Sequence, residues 1–317
     1  MSVESPPRSP VVLIMGPTGA GKTDLAIRLA QRFPVEIVSV DSAMVYRGLN
    51  LGTGKPDAAT LARFPHHLVD ILDPKEAYSA GQFVRDVRTI IGDVRERGRL
   101  PILVGGTMLY FRALRRGLAA LPSADPVVRA TIDAQARSIG WSGMHAELAS
   151  IDARSAARIQ PNDAQRIQRA LEVFRLSGKT LSEFHAEVHV TDPTMDFKTY
   201  AWVPSDRERL YAAIALRFQA MLHAGLLAEV RSLRDRGDLH ADLPSIRSVG
   251  YRQLWEHLGG RASLAQAVDK AIIATRQLAR RQLIWLRSEQ DVPWLDALDS
   301  GANARIEREV EQLCLKM

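Results

Sequence analysis

Cysteine is nearly absent. The 317 residues hold one, Cys314, so neither an intramolecular disulfide nor a cysteine-built metal site can form, and a reducing compartment fits best. No stretch approaches the roughly 18 apolar residues of a membrane-spanning helix, and the opening MSVESPPRSP is polar and proline-rich where a secretory leader is cationic and then apolar. These absences point to a cytoplasmic protein with no membrane partner. There is no internal repeat, and no low-complexity block beyond residues 1–10, which are expected to be disordered. What remains is an average globular composition, 46% hydrophobic and 25% charged, long enough for one large domain or two ordinary ones. Lys and Arg number 42 against 36 Asp and Glu, for a net charge of +6 and a pI near 9.7, which permits an acidic partner without identifying one. The excess is spread along the chain, so any charged surface is local.

Residues 11–15, VVLIM, form an apolar run ending in GPTGAGKT, after which DLAIRLAQRF repeats apolar residues at helical spacing. That order predicts strand, glycine loop, helix. Further strand-like runs follow at 36–43 (EIVSVDSA), 67–72 (HLVDIL) and 101–106 (PILVGG). Between the last two, AGQFVRDVRTIIGDVRERG places Phe83, Val87, Ile90, Ile91 and Val94 on one side of a helix that Gly98 closes. Strands alternating with helices predict an α/β fold, a doubly wound parallel sheet of the P-loop kind, whose functional loops lie at the carboxyl ends of the strands. Asp41 and Gly105 to Thr107 then share the P-loop edge.

From Leu121 the texture changes to helical patterns rich in Ala, Arg and Gln, opened by PSADP and left through TDPT at 191–194. The expected division is a P-loop core over 11–120, a mostly helical insertion over 121–196, and a second core part with C-terminal helices over 197–317. TYAWV at 199–203 reads as a returning strand. Ser205 reads as the cap of a helix carrying Leu210, Ile214, Phe218, Met221 and Leu222 on one face. Ser263 opens another, with Val268, Ile272, Ala279, Leu283 and Leu286 as its buried stripe; ARIEREVEQLCLKM reads as a peripheral helix.

The strongest chemical signal is Gly16, Pro17, Thr18, Gly19, Ala20, Gly21, Lys22 and Thr23, which satisfy G-x-x-x-x-G-K-[ST] between a strand and a helix. Such a loop turns consecutive N–H groups and a helix N-terminus onto one anion, with Lys22 adding charge and Thr23 a magnesium-facing hydroxyl. It predicts a bound di- or triphosphate. The guanine-reading N-K-x-D segment of GTP switches is missing, and the strand at 101–106 ends in glycines where an ATPase places an Asp on magnesium. Asp41 is the nearest carboxylate at a strand end, either as a reactive group or as a magnesium or capping carboxylate; Asp70 is the alternative. His66 and His67 are adjacent, point to opposite faces and read as structural, and no zinc is expected.

Four further blocks follow the P-loop in order: DSAMVYRGLNLGTGKP (41–56), PHHLVDILDP (65–74), GGTMLYFRAL (105–114) and RSVGYRQL (247–254). Together, over residues 11 to about 290, the chain resembles the tRNA dimethylallyltransferases, also called tRNA isopentenyltransferases. The two-Cys, two-His finger of eukaryotic members is absent, so the resemblance is to the bacterial form. It implies transfer of a five-carbon prenyl group from dimethylallyl diphosphate to N6 of the adenosine 3′ of a tRNA anticodon. Diphosphate leaves in the P-loop cradle, with Mg²⁺ on Thr23 and Arg217 as a further contact, although a solvated helix charge competes as an account of Arg217.

On the same resemblance Asp41 is the candidate base for the amine and Thr107 a hydroxyl that positions the site. The target base must be flipped out of its stack, at a cost of about a few kcal/mol. The residues implied to face tRNA are Asp41, Ser42, Ala43 and Met44; Arg129; Gln165, Arg166, Ile167, Gln168 and Arg169; and Arg247, Ser248, Val249, Gly250, Tyr251 and Arg252. For the middle group an exposed helix face competes. From charge alone, Arg276, Arg280, Arg281 and Arg287 form a row able to face phosphates. The partners expected are the anticodon stem-loop of tRNA and dimethylallyl diphosphate, bound by a monomer. A small-molecule kinase using ATP, or a non-enzymatic RNA-binding NTPase module, are the other readings.

Overall fold

The computed structural model describes residues 9–187 and 195–317. Its order is β1 (Ser9–Met15), α1 (Lys22–Arg32), β2 (Val35–Val40), α2 (Ala58–Arg63), β3 (His66–His67), α3 (Ala80–Glu96), β4 (Leu100–Gly105) and α4 (Met108–Arg116). Then come α5 (Pro126–Ile151), α6 (Ala153–Ala156), α7 (Ala164–Ser177) and α8 (Leu181–Ala186). The chain continues through β5 (Met195–Val203), α9 (Arg207–His223), α10 (Leu226–Asp235), α11 (Tyr251–Leu258), α12 (Leu264–Ser288), β6 (Trp294–Asp296) and α13 (Ser300–Cys314). Two compact units result, one built on the sheet and one running from Arg116 through α5–α8.

The six strands are all parallel, in the order β3-β2-β4-β1-β5-β6, which is the doubly wound α/β sheet expected. Alternation along β1 explains the two layers. Val11, Leu13 and Met15 face α3 and α4, meeting Phe83, Val87, Ile91, Phe111 and Leu114, while Val12 and Ile14 face α1 and α13, meeting Leu25, Leu29, Ile306 and Val310. Alpha 13, read as peripheral, thus covers one face of the sheet, with Ala302, Ile306 and Val310 buried. A third cluster joins α9–α12 to Val45, Tyr46 and Leu49. No single described helix is long and apolar enough to cross a membrane.

Several local expectations need correction. The strand β1 begins at Ser9, two residues early; residues 1–8 and the TDPT segment at 191–194 lie outside the described residues. The third run is no six-residue strand: only His66 and His67 pair with β2. Leu68 and Asp70 take left-handed backbone (φ 62° and 56°), and the chain turns to pair with the segment after β2, the Asp70 N–H donating to Met44 O and the Leu72 N–H to Val45 O. That conformation is unusual for residues with a side chain, and the Lys55 ammonium donating to Asp70 Oδ1 at 2.5 Å helps to hold it. Asp70 is therefore a partner of Lys55 and not a strand-end carboxylate. The helix after β5 is capped by Asp206, whose carboxylate accepts the Glu208 and Arg209 N–H groups, and not by Ser205. The short strand β6 had no signal beyond three residues.

In the second unit, Ile132, Met144, Leu148, Ile167 and Leu171 form the core. Ile167 is fully buried, so its side chain faces no RNA, a correction that follows from its place on the apolar stripe of α7. Glu172, also fully buried, accepts from Arg129 (2.8 Å), from Arg169 (2.6 Å) and from the Asp125 N–H (2.9 Å). Burial opposes its charge, but these three donors outweigh it and hold the carboxyl below its ordinary range. Arg129 and Arg169, both implied to face tRNA, are thereby committed to an ion pair within their own unit.

Breaking a buried ion pair by removing one partner costs about 3–5 kcal/mol. Arg129 and Arg169 stay partly exposed and can turn to water, so Glu172→Ala should destabilise the protein by about 2 kcal/mol in urea titration at neutral pH. Because the folded-state value is depressed, the contribution is present above the unfolded Glu value, about 4.3, and lost as pH falls through the folded one, so variant and wild type should converge in acid. A difference that persists there would show that the carboxylate charge is not what stabilises the unit.

Candidate active site

Three neighbouring strands end level, since Met15 of β1 and Val40 of β2 both lie beside Gly105 of β4. Whatever follows them is delivered to one edge of the sheet: the P-loop after β1, Asp41 after β2, Gly106 and Thr107 after β4. The loop Gly16–Thr23 turns back through Gly19 and Gly21, both left-handed (φ 84° and 75°), and α1 opens at Lys22 with no side chain capping its N–H groups. Those groups are left for an anion. A cavity of about 580 Å³ opens over this edge, walled by the P-loop, Asp41, Met44, Thr53–Asp57, Val104–Gly106, Arg217 and Gln282.

Two cations face that cavity without a carboxylate partner within 4.0 Å among the described residues. The Lys22 ammonium donates only to Pro17 O, at 2.7 Å. Arg217, from α9, reaches Thr53 O at 3.4 Å and lies against Gly54, where a Cβ would stand 1.7 Å from Nη2. Burial lowers the pKa of both. Lys22 falls to about 7, with the Asp41 charge opposing and Arg217 adding to the shift; Arg217 is lowered too, opposed by Asp41 and Asp24. A phosphate anion would supply the missing countercharge.

Asp41 is half-buried, and its Oδ1 accepts the Ala43 and Met44 N–H groups at 2.8 and 3.2 Å. That turn fixes the carboxylate and leaves Oδ2 for the cavity. Thr107 does not line the cavity; its Oγ1 accepts the Ser42 N–H at 3.1 Å and so steadies the same turn. For a magnesium ion the cavity lining offers the Thr23 hydroxyl and the Asp24 and Asp41 carboxylates, with no cluster of three or more His, Cys, Asp or Glu ligands among the described residues. Magnesium bound through phosphate oxygens needs only one or two protein ligands, so these residues fit it.

Several supports carry no motif. Glu229 accepts the Asn50 and Leu51 N–H groups at 3.2 and 2.9 Å, and the Tyr251 hydroxyl donates to Glu229 at 2.6 Å while accepting the Gly52 N–H at 3.1 Å. Lys55, its side chain 2% exposed, donates to Tyr46 O, Asn50 Oδ1 and Asp70 Oδ1. Together they hold the 49–55 segment that backs Arg217. Gln282 joins the P-loop to the loop after β4. Its one sequence signal is a polar residue between Ala279 and Leu286 on a buried helical stripe.

The remaining candidates divide by burial. Ser42, Arg247 and Arg252 are exposed, Ala43, Met44, Ser248 and Val249 half-buried, and Gly250 buried. Tyr251 is fully buried with both hydroxyl bonds internal, which corrects its assignment as a tRNA contact to a brace of the 49–55 segment. On the second unit Gln165 and Arg166 are exposed, while Gln168 donates to Asp133 at 2.6 Å. Of the α12 row, Arg280, Arg281 and Arg287 are exposed, but Arg276 lies over the Tyr211 ring and donates to Tyr211 O, so it is turned inward. His66 Nδ1 contacts Phe64 O while its ring lines the cavity with Nε2 buried and without a partner among the described residues, and His67 pairs with Glu36.

Comparison with known proteins gives a consistent picture. A family model described as IPP transferase matches residues 44–289, and one described as isopentenyl transferase matches residues 9–68. A tRNA dimethylallyltransferase of Bordetella petrii is 52% identical over 307 residues, 96% of this chain and 98% of that protein. Among solved structures, a tRNA isopentenylpyrophosphate transferase from Bacillus halodurans is 34% identical, with 97% of each chain covered and a TM-score of 0.70. A eukaryotic dimethylallyltransferase acting on tRNA is 26% identical, covering 94% of this chain and 77% of that one, with a TM-score of 0.78.

The Lys22 shift has a measurable consequence. Its pKa of about 7 in the free protein rises when an anion fills the cradle. Affinity for inorganic diphosphate, measured by titration calorimetry, should therefore be greatest below pH 7 and weaken above it by up to about tenfold per pH unit. Lys22→Met should bind more weakly and lose that slope. A wild-type affinity that stays level from pH 7 to 9 would show that the lysine is charged before the anion arrives.

Proposed function

The chain belongs to the IPP transferase family, and from that membership we propose that it is a tRNA dimethylallyltransferase, moving the dimethylallyl group of dimethylallyl diphosphate to N6 of the adenosine 3′ of the anticodon and releasing diphosphate. The observation that carries this reading is the pair of cations, Lys22 and Arg217, with no carboxylate within 4.0 Å among the described residues, beside a P-loop and within one cavity with Asp41. The comparisons do not favour a small-molecule kinase.

The diphosphate lies in the loop, against the α1 N-terminus, Lys22 and Arg217, so that charge gathering on the bridging oxygen as the carbon–oxygen bond breaks meets fixed positive groups. Thr23 is the residue proposed to hold Mg²⁺, which would supply further charge neutralisation on the leaving group. Ile37, Met44 and Val104, which also line the cavity, offer the five-carbon chain an apolar wall. An exocyclic adenine amine is a weak nucleophile because its lone pair is shared with the ring, so it needs alignment and an acceptor for its proton. Asp41 Oδ2 is that acceptor: nitrogen bonds to the allylic carbon, diphosphate departs, and one amine proton passes to the carboxylate.

The anticodon stem-loop supplies the base, flipped from its stack, and the exposed Arg247, Arg252, Arg280, Arg281 and Arg287 on one unit and Gln165 and Arg166 on the other are the groups proposed to meet the RNA. The enzyme is proposed to act as a monomer, in the cytoplasm where tRNA is processed.

Purified protein with dimethylallyl diphosphate, Mg²⁺ and unmodified tRNA should yield N6-dimethylallyladenosine and one diphosphate per product. ATP turnover with no alkylated tRNA would overturn the assignment. Asp41→Ala should slow transfer by about 10²- to 10⁴-fold while tRNA affinity changes little, and a variant that keeps wild-type turnover would remove Asp41 as the base.

A further inference from the structure

Gln282 stands out among the residues that the transfer chemistry does not use. It is 8% exposed on α12, far in sequence from every motif, and its amide spans two loops of the site. Oε1 accepts the Thr18 N–H at 2.9 Å, and Nε2 donates to Gly106 O at 2.8 Å. Both bonds have good length, and a buried amide satisfied at both ends is held in one orientation.

The location of these bonds gives them meaning. Strands β1 and β4 hold each other through their ladder as far as Met15 and Gly105, and the Gly16 N–H still reaches Gly105 O at 3.3 Å. Beyond that point the ladder ends, and the segment after β1 enters the anion cradle while the segment after β4 leads to Thr107. The Gln282 amide is the next rung, supplied from a helix. Gly106 permits it, because a Cβ there would stand 2.4 Å from Nε2. From Gly106 the connection continues through Thr107 Oγ1 to the Ser42 N–H, and so to the turn that fixes Asp41.

We propose that Gln282 is a positioning residue that sets the distance between the leaving-group cradle and Asp41, and so the alignment of the carbon under attack with the amine that attacks it. The proposal rests on the prenyl-transfer reading. Glutamine suits the role because it offers one acceptor and one donor at the end of a three-carbon reach; Glu has no N–H for Gly106 O, and Met offers neither group. A misplacement of about 1 Å costs up to about 10²-fold in rate without loosening what each substrate touches.

The test is Gln282→Met, of similar length and volume. The expected result is a kcat lowered about 10- to 100-fold, with KM for dimethylallyl diphosphate and for tRNA within about threefold of wild type. Inorganic diphosphate should bind within about threefold of wild-type affinity, and the Thr18 amide should exchange faster with solvent. Gly106→Ala, which pushes the amide away from the other side, should reproduce the kcat loss. The double variant should be no slower than the slower single one, since both break the same link.

An unchanged kcat, a diphosphate affinity that falls in step with kcat, or single effects that multiply in the double variant would each overturn the proposal. Thermal melting confirms that each variant is folded, and Gly106→Ala decides the matter if Gln282→Met is not. Should wild-type protein fail to alkylate tRNA at all, the functional reading fails by itself. In that case, Thr18 exchange left unaltered in Gln282→Met would sink the link, and faster exchange with diphosphate affinity retained would sustain it.

Discussion

Lys22 and Arg217 are half-buried cations with no carboxylate within 4.0 Å among the described residues, and the organisation of the site follows from that imbalance. Other cations of the chain have carboxylates: Lys55 has Asp70, Arg129 and Arg169 share Glu172, and Arg236 takes Asp73 and Asp238. Desolvating a charge without a partner is unfavourable, so two such cations on one cavity leave room there for an anion. Asp41 is close enough to raise the pKa of both cations, yet its Oδ1 is occupied by its own turn. It tempers the positive field without neutralising it.

Sheet geometry explains why these groups meet. Neighbouring parallel strands that end at the same height must present their following loops side by side, and the order β2-β4-β1 puts the Asp41 turn and the P-loop on either side of Gly106. Arg217 arrives from α9, after β5 has paired with the far side of β1. The 49–55 segment is then clamped under it by Glu229, Tyr251 and Lys55, so the guanidinium rests on a backbone with little freedom to shift. Gly54 has no side chain because one would occupy the space of Nη2.

How much of this was legible in the sequence depends on how far apart the interacting residues lie. The P-loop is eight consecutive residues between a strand and a helix, and Asp41 and Thr107 follow apolar runs that reveal their strands, so all could be placed on one edge before any coordinates. Helix α3 kept its stripe, with Phe83, Val87, Ile91 and Val94 buried. The failures share a cause. HLVDIL has strand composition, but Asp70 is drawn to Lys55, fifteen residues away, and the backbone leaves the sheet. A contiguous motif also mixes surface with core: Tyr251 sits between exposed Arg252 and buried Gly250 and points inward, as does Ile167 between Arg166 and Gln168. Glu172 binding Arg129, and Gln282 binding Thr18 across 264 positions, leave no local pattern that names the partner.

A P-loop alone does not decide between moving a phosphoryl group and releasing a diphosphate, since both need the same cradle. The difference lies in what surrounds it. Phosphoryl transfer requires an acceptor in line with the terminal phosphorus, whereas release to an allylic carbon requires an apolar wall for the hydrocarbon and an acceptor for the proton of an incoming amine. Ile37, Met44 and Val104 line the cavity together with Asp41, which on the proposed reading would meet the first need and the second. Because a delocalised amine gains little from base strength alone, most of the acceleration must come from holding nitrogen, carbon and departing oxygen in line. That places a demand on the connections between loops as well as on Asp41. A scaffold whose three strand ends are level, and whose loops are tied together beyond the last ladder bond, is one that can meet it.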